Sequence, residues 1–338
     1  EDVRVLEHVG LECQNLLDAM APLVVPRARQ AQRLVPGGQL ECAGAGVHLV
    51  PVTLLQSLIY AFAALGIMIP FRVLAFPDLT SEGSFPLGAC VCAAVLAAGA
   101  HPIVATAAAV AAGFAAGCAT ALVHQHARVN TLLCGILVLT ALYSINIRVM
   151  GQPNIPLFGF ANVFELALGA GKDDTWRRIA LLGALAACAC LALWWLLRTE
   201  IGTAMRAVGA SLAMARAQGV DVGLYTLWGL GIGNAFAALG GSLLAQNQGF
   251  ADVNLGFGVL INGLAAVILG EAIVGAQTVA RLLAAPVVGA IVYYQVVSMA
   301  LAFGLQPSDL KLVTAVFVLV MLLLPAVRGR SLPVRMRE

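Results

Sequence analysis

Beyond residue 50 the chain alternates long apolar runs with short polar breaks, and the runs have the length of membrane-crossing helices rather than of strands. A transmembrane helix needs about 20 mostly apolar residues. That ruler predicts spans over 51–71, 87–101, 103–123, 131–147, 178–197, 223–246, 256–272, 282–303 and 310–326. Between the first two lies Phe76 to Leu87, which holds Pro77, Asp78, Glu82, Gly83 and Pro86. Polar, irregular backbone survives at membrane depth only under protein or beside water. This stretch therefore reads as a re-entrant or broken helix, and the count is nine or ten spans. The predicted fold class is an all-α polytopic membrane protein, with a transmembrane body over 51–327 and a basic tail over 328–338.

Composition agrees. Hydrophobic residues make up 61% of the 338 and charged residues 11%, against about 45–50% and about 25% in soluble domains. Ten of the charges fall within residues 1–50, a mixed segment with Arg27, Arg29, Arg33 and a Pro36-Gly37-Gly38 break. No apolar core follows its charged start, so it reads as a poorly ordered extension rather than a signal peptide. A net charge of +2, with basic residues scattered between apolar runs, argues against a nucleic-acid partner.

Short loops rich in Lys and Arg favour the cytoplasm. Arg198, Arg206 and Arg216, then Arg281, then Arg128 beside His124 and His126, and finally Arg328, Arg330, Arg335 and Arg337 all fall on one side when the spans alternate. Loops 148–177, 247–255 and 304–309 are then outside, although the first carries Arg148, Lys172 and Arg177, with Arg178 just after it, against Asp173 and Asp174. A break at 72–87 would change the parity, so the direction of the first span stays open.

Enzymatic chemistry finds no support. There is no HExxH, no GxSxG and no carboxylate dyad, and Gly169-Ala170-Gly171-Lys172 lacks the Gly and the Ser/Thr of a phosphate-binding loop. The chain is therefore expected to bind neither ATP nor metal, and not to be an enzyme. Cys90, Cys92, Cys118, Cys134, Cys188 and Cys190 sit inside apolar runs, where thiols act as small hydrophobes. No structural disulfide is expected.

What remains is polar residues in or beside the spans: Asn130, Asn146, Arg148, Asn234, Gln246, Asn247, Gln248, Asp252, Asn254, Asn262 and Glu271. Such groups face a bundle interior or a water-filled path, and Asn234, Asn262 and Glu271 are the candidates for a translocation path. Interhelical hydrogen bonding is the alternative use. Gln246 to Asn254 reads as a solvated outer turn. Gly113 with Gly117 and Gly229 with Gly233 have the spacing that lets helix backbones approach closely.

The loop EIGTAMRAVGASLAMARAQGV, from Glu200, is too long for a turn and too polar to span. Ser211 can cap a short helix over Leu212 to Gln218, with Gly219 as the residue just past its end. Leu212, Met214 and Ala215 beside Arg206 and Arg216 suit docking into a groove on another protein, with Leu212 and Ala215 three apart on one face. A helix resting on lipid headgroups is the alternative.

These blocks carry a resemblance. Met205 to Gly209, Met214 to Val220, Gly240 to Asn254 and Val267 to Glu271 resemble the permease subunits of bacterial ABC-type importers in the branched-chain amino acid and ribose permease superfamily. Leu132 to Pro156 and Pro307 to Ala315 resemble, more narrowly, the permeases of tryptophan/tyrosine-type uptake systems. The resemblance covers about residues 52–326 and leaves the extension outside. It implies a multi-pass subunit of the bacterial inner membrane, forming a path for an amino acid or similar small solute. It also implies a second permease copy in a homodimer, an external substrate-binding protein, and an ABC ATPase that uses ATP and Mg and docks on 200–222 through Arg206, Ser211, Leu212, Ala215, Arg216 and Gly219. A secondary carrier is the alternative. It would place paired broken helices and ionisable groups at mid-membrane in both halves, and Asp and Glu are nearly absent from the span centres.

Overall fold

The structure, a computed structural model, describes residues 42–127, 129–169 and 175–302, the side chains of 42–49 and Leu301 excepted. The chain divides into two units, 1–48 and 49–338, and the helical bundle belongs to the second. The predicted span 310–326, the tail 328–338 and Gly171-Lys172 lie outside the described residues.

Helix α1 (Cys42–Met68) runs on into a π-helical turn, Ile69–Val73. Extended chain follows, and α2 (Ser81–Ala97) begins. After it come α3 (Pro102–Ala127), α4 (Thr131–Met150), β1 (Asn154–Pro156), α5 (Val163–Leu168) and α6 (Thr175–Arg198). The polar loop forms α7 (Glu200–Ala210) and α8 (Leu212–Ala217). Then α9 (Val222–Gln248), β2 (Phe250–Asp252), a 3-10 turn (Val253–Gly256), α10 (Val259–Val274) and α11 (Val279–Ala302) complete the described chain.

Among the described residues seven helices are long and apolar enough to cross a membrane, and α2 is a shorter apolar one. The described residues thus hold seven full-length spans where the sequence predicts eight, the ninth, 310–326, lying outside them, and the expected total of nine or ten is higher than the structure shows. The run over 87–101 is half of an interrupted helix, which starts at Ser81 rather than at 87 because Pro86 is tolerated inside its first turns.

Local chemistry sets the boundaries. The Asn130 side chain caps α4 by accepting from Leu132 N at 3.1 Å. Asp221 caps α9 by accepting from Gly223 N and Leu224 N at 2.9 and 3.2 Å. β1 and β2 pair antiparallel, Ile155 opposite Ala251, so loops 148–177 and 247–255 meet at one end of the bundle.

Two long helices cross at the centre. A Cβ on Gly66 of α1 would overlap the Gly233 carbonyl of α9. A Cβ on Gly113 would come within 2.6 Å of the Asn234 carbonyl, and one on Gly117 would overlap that of Leu230, so α3 lies directly against the α9 backbone. Gly229 lies instead under the Leu74 and Met205 side chains. The direction of α1 follows from its far end, where a Cβ on Gly209 of α7 would overlap the Val73 carbonyl. The first span thus ends on the side of the 200–222 segment, and α9 begins there.

The succession of long helix, break, half-helix and long helix occurs twice with opposite direction, as α1, α2, α3 and as α9, α10, α11. Both half-helices start near the middle of the bundle: Ser84 bonds Asn234, close to the midpoint of α9, and Gly256 packs on the backbone of Glu82. The sequence showed the first break and not the second.

Candidate functional site: the two breaks and the segment 200–222

The first break is built around a buried carboxylate. Asp78 accepts from Thr80 N at 2.9 Å and from Asn234 Nδ2 at 2.8 Å. Ser84 Oγ donates to Asn234 Oδ1 at 2.8 Å, and the Asn234 amide also donates to the Leu230 carbonyl at 2.9 Å. Asp78, Thr80, Ser84 and Asn234 are all fully buried. Burying such groups is tolerable only when their hydrogen bonds are made, and each of these side chains has a partner. Within the break Ala75 has φ of +51°, a left-handed conformation that costs a non-glycine residue about 1–2 kcal/mol.

Charged residues on both flanks of the break reach α10. On one flank the Arg72 guanidinium pairs with Glu271 through two of its three nitrogens, Nε donating to Oε1 at 2.6 Å and Nη2 to Oε2. On the other, Glu82 Oε1 accepts from Gly258 N at 2.8 Å. Gly258 is the N-cap of α10 and Glu271 lies in its last turn. A carboxylate at a helix N-terminus is also favoured by the helix dipole.

Of the residues singled out in the sequence, Asn234 and Glu271 both lie in this region, while Asn262 is half-buried and accepts from Tyr293 OH at 2.9 Å. Gln246 is not in a solvated turn. Its amide donates to Thr106 Oγ1 at 2.9 Å and accepts from Val163 N at 2.9 Å, fastening α9 to α3 and α5. The outer ends of α1, α6 and α9 border an open cleft of about 430 Å³, lined by Gln56, Arg178, Asn247 and Gln248 with Leu55 and Leu244. Arg72, Asp78 and Glu82 went unassigned at the sequence level. Their signal was the charge in the polar gap after the first span.

The segment 200–222 holds two helices where one was expected. Ser211 Oγ accepts from Met214 N at 3.4 Å and so caps α8. The helix closes with Val220 N on the Ala215 carbonyl and Gly219 N on that of Arg216, at 3.0 Å each, and Gly219 has φ of +77°. This is the Schellman pattern, in which a left-handed residue satisfies the last carbonyls. Leu212 and Ala215 do not share a surface. Leu212 is 53% exposed and Met214 66%, whereas Ala215 is 2% exposed and packs in the cluster that includes Val73, Met205 and Leu230. Residues three apart are still offset by about 60° around the helix axis, and the edge of the buried face falls between these two. Arg216 is exposed, while the half-buried Arg206 turns back to the Gly202 carbonyl.

A multi-pass bundle with interrupted helices, buried polar centres at its breaks and a capped helical segment at one end defines a membrane transport subunit. The family described as branched-chain amino acid transport system, permease component, matches residues 51–325. The chain belongs to that family, and it is a multi-pass protein of the bacterial inner membrane. It is 37% identical over 267 residues to the tyrosine transport system permease protein of Clostridioides difficile (strain R20291), covering 79% of this chain and 88% of the relative. It is 31% identical over 281 residues to an uncharacterized protein of Rickettsia prowazekii (strain Madrid E), covering 82% of this chain and 97% of the relative. No solved structure matches it.

Proposed function

We propose that this chain is the permease of an ATP-binding cassette importer that carries an amino acid, with tyrosine as the first solute to test. Two copies would form the path as a homodimer, an external binding protein would deliver the solute, and a separate ATPase using ATP and Mg would drive it. The observation that carries the reading is the segment 200–222. Its outer surface presents Leu212, Met214 and Arg216, and its inner surface is anchored on the end of α1 through Gly209 and Ala215. A surface helix held rigidly to an interrupted span is what a subunit needs in order to respond to hydrolysis in a partner. Asn234, Asn262 and Glu271 would line or border the path.

The paired breaks favour a second reading, since secondary carriers also build their sites from discontinuous helices. Uptake separates the two. In proteoliposomes containing the permease, its ATPase and its binding protein, tyrosine uptake should require ATP, and Leu212→Glu with Met214→Glu should abolish solute-stimulated hydrolysis. Uptake driven by an ion gradient without ATP would favour the carrier.

A further inference from the structure

We infer that Arg72 and Glu82 are positioning residues that make α10 a strut, gripped at both ends by the flanks of the first break, so that movement of the 200–222 segment is delivered to the second half of the permease. This rests on the coupling reading above.

The two contacts are spaced to do this. Arg72 and Glu82 are ten positions apart in sequence, with the non-helical chain 74–80 between them. Their partners, Glu271 and Gly258, stand at opposite ends of one helix. A rigid helix fixed at both ends to one short segment follows that segment as a body. The segment is itself in contact with the coupling region, because α7 meets the Val73 carbonyl at Gly209 without an intervening side chain.

The break carries backbone strain of the kind that clusters at functional sites. It follows a π-helical turn, a geometry frequent at functional positions, and it holds the left-handed Ala75. The Arg72–Glu271 pair is also poorly explained as a fold stabiliser. The two side chains are 20% and 5% exposed, and a buried ion pair often contributes no more stability than apolar residues of similar size. Its geometric content is direction: a bidentate guanidinium fixes both distance and angle. Asn262, hydrogen-bonded to Tyr293 of α11, rides on the same strut, so α10 would carry a path residue and the face of α11 with it.

The test uses the complete transporter in proteoliposomes and measures tyrosine taken up per ATP hydrolysed. Replacing both partners, Arg72→Met with Glu271→Met, removes the directional contact together with both of its charges. The complex should assemble and melt near the wild-type temperature, while uptake per ATP falls about tenfold. The swapped pair, Arg72→Glu with Glu271→Arg, should recover part of it. At the other end Glu82→Leu should lower the ratio, and Glu82→Gln, which keeps an acceptor for Gly258 N, should restore it. A wild-type ratio in the assembled double-Met variant or in Glu82→Leu overturns the strut. So does loss of assembly in both, which would make the contacts folding clamps. If hydrolysis in the wild-type complex is not stimulated by solute, the coupling reading fails and the strut fails with it; stimulated hydrolysis with unchanged ratios sinks the strut alone.

Discussion

Asn234 shows how one side chain joins two halves of a chain. Its amide donates to Asp78 and its carbonyl accepts from Ser84, residues 156 and 150 positions away. Asn234→Leu therefore leaves one oxygen of a buried carboxylate and a buried hydroxyl without this partner together. A buried group left unsatisfied costs about 1–3 kcal/mol, more when charged, so the purified variant should melt well below wild type. An unchanged melting temperature would mean that water replaces the amide. The sequence exposed Asn234, because an amide inside an apolar run is conspicuous. It did not expose the partnership with Asp78, because a hydrogen bond across the bundle leaves no periodic trace along the chain.

At the scale of elements, legibility followed locality. The spans that became α3, α4, α6 and α9 and the cap at Ser211 were readable because apolar run length and the capping bond act within a few residues. Helix α7 was not, since Gly202 and Gly209 lower helix propensity and are kept for contact with the Leu197 and Val73 backbones. The second break was missed for a related reason: Gln246 to Asn254 reads as a polar outer turn, with a span from 256, until β1 and Glu82 are brought to it. The same distinction governs α8. Gly219 lies in open space, so a side chain there meets nothing within 4 Å, and Gly219→Val should cost only the backbone strain of about 1–2 kcal/mol. That variant should insert normally and lose solute-stimulated hydrolysis. Ala215→Glu should behave differently. Its carboxylate would enter the apolar cluster under α8, so the loss should appear as reduced yield and melting temperature before any defect in coupling. If Ala215→Glu folds as well as wild type, α8 swings free of the bundle and the segment is not anchored.

For the whole molecule, the inverted halves meet where α1 crosses α9, and glycine on both helices sets their separation. A Cβ on Gly233 would come within 2.7 Å of the Gly66 carbonyl, and one on Gly66 would overlap that of Gly233. Neither neighbour can yield without moving backbone, so Gly66→Ala and Gly233→Ala should each force the helices apart, at the cost of about 1–3 kcal/mol expected for overpacking. Once one substitution has separated them, the second enters space already made. The two losses should therefore be less than additive in the double variant, as expected for residues in one contact. Thermal unfolding of wild type, both singles and the double in the same detergent measures this directly. Strict additivity would show that the two glycines report separate contacts, and that the crossing of α1 and α9 is not the point at which one half of the permease registers the position of the other.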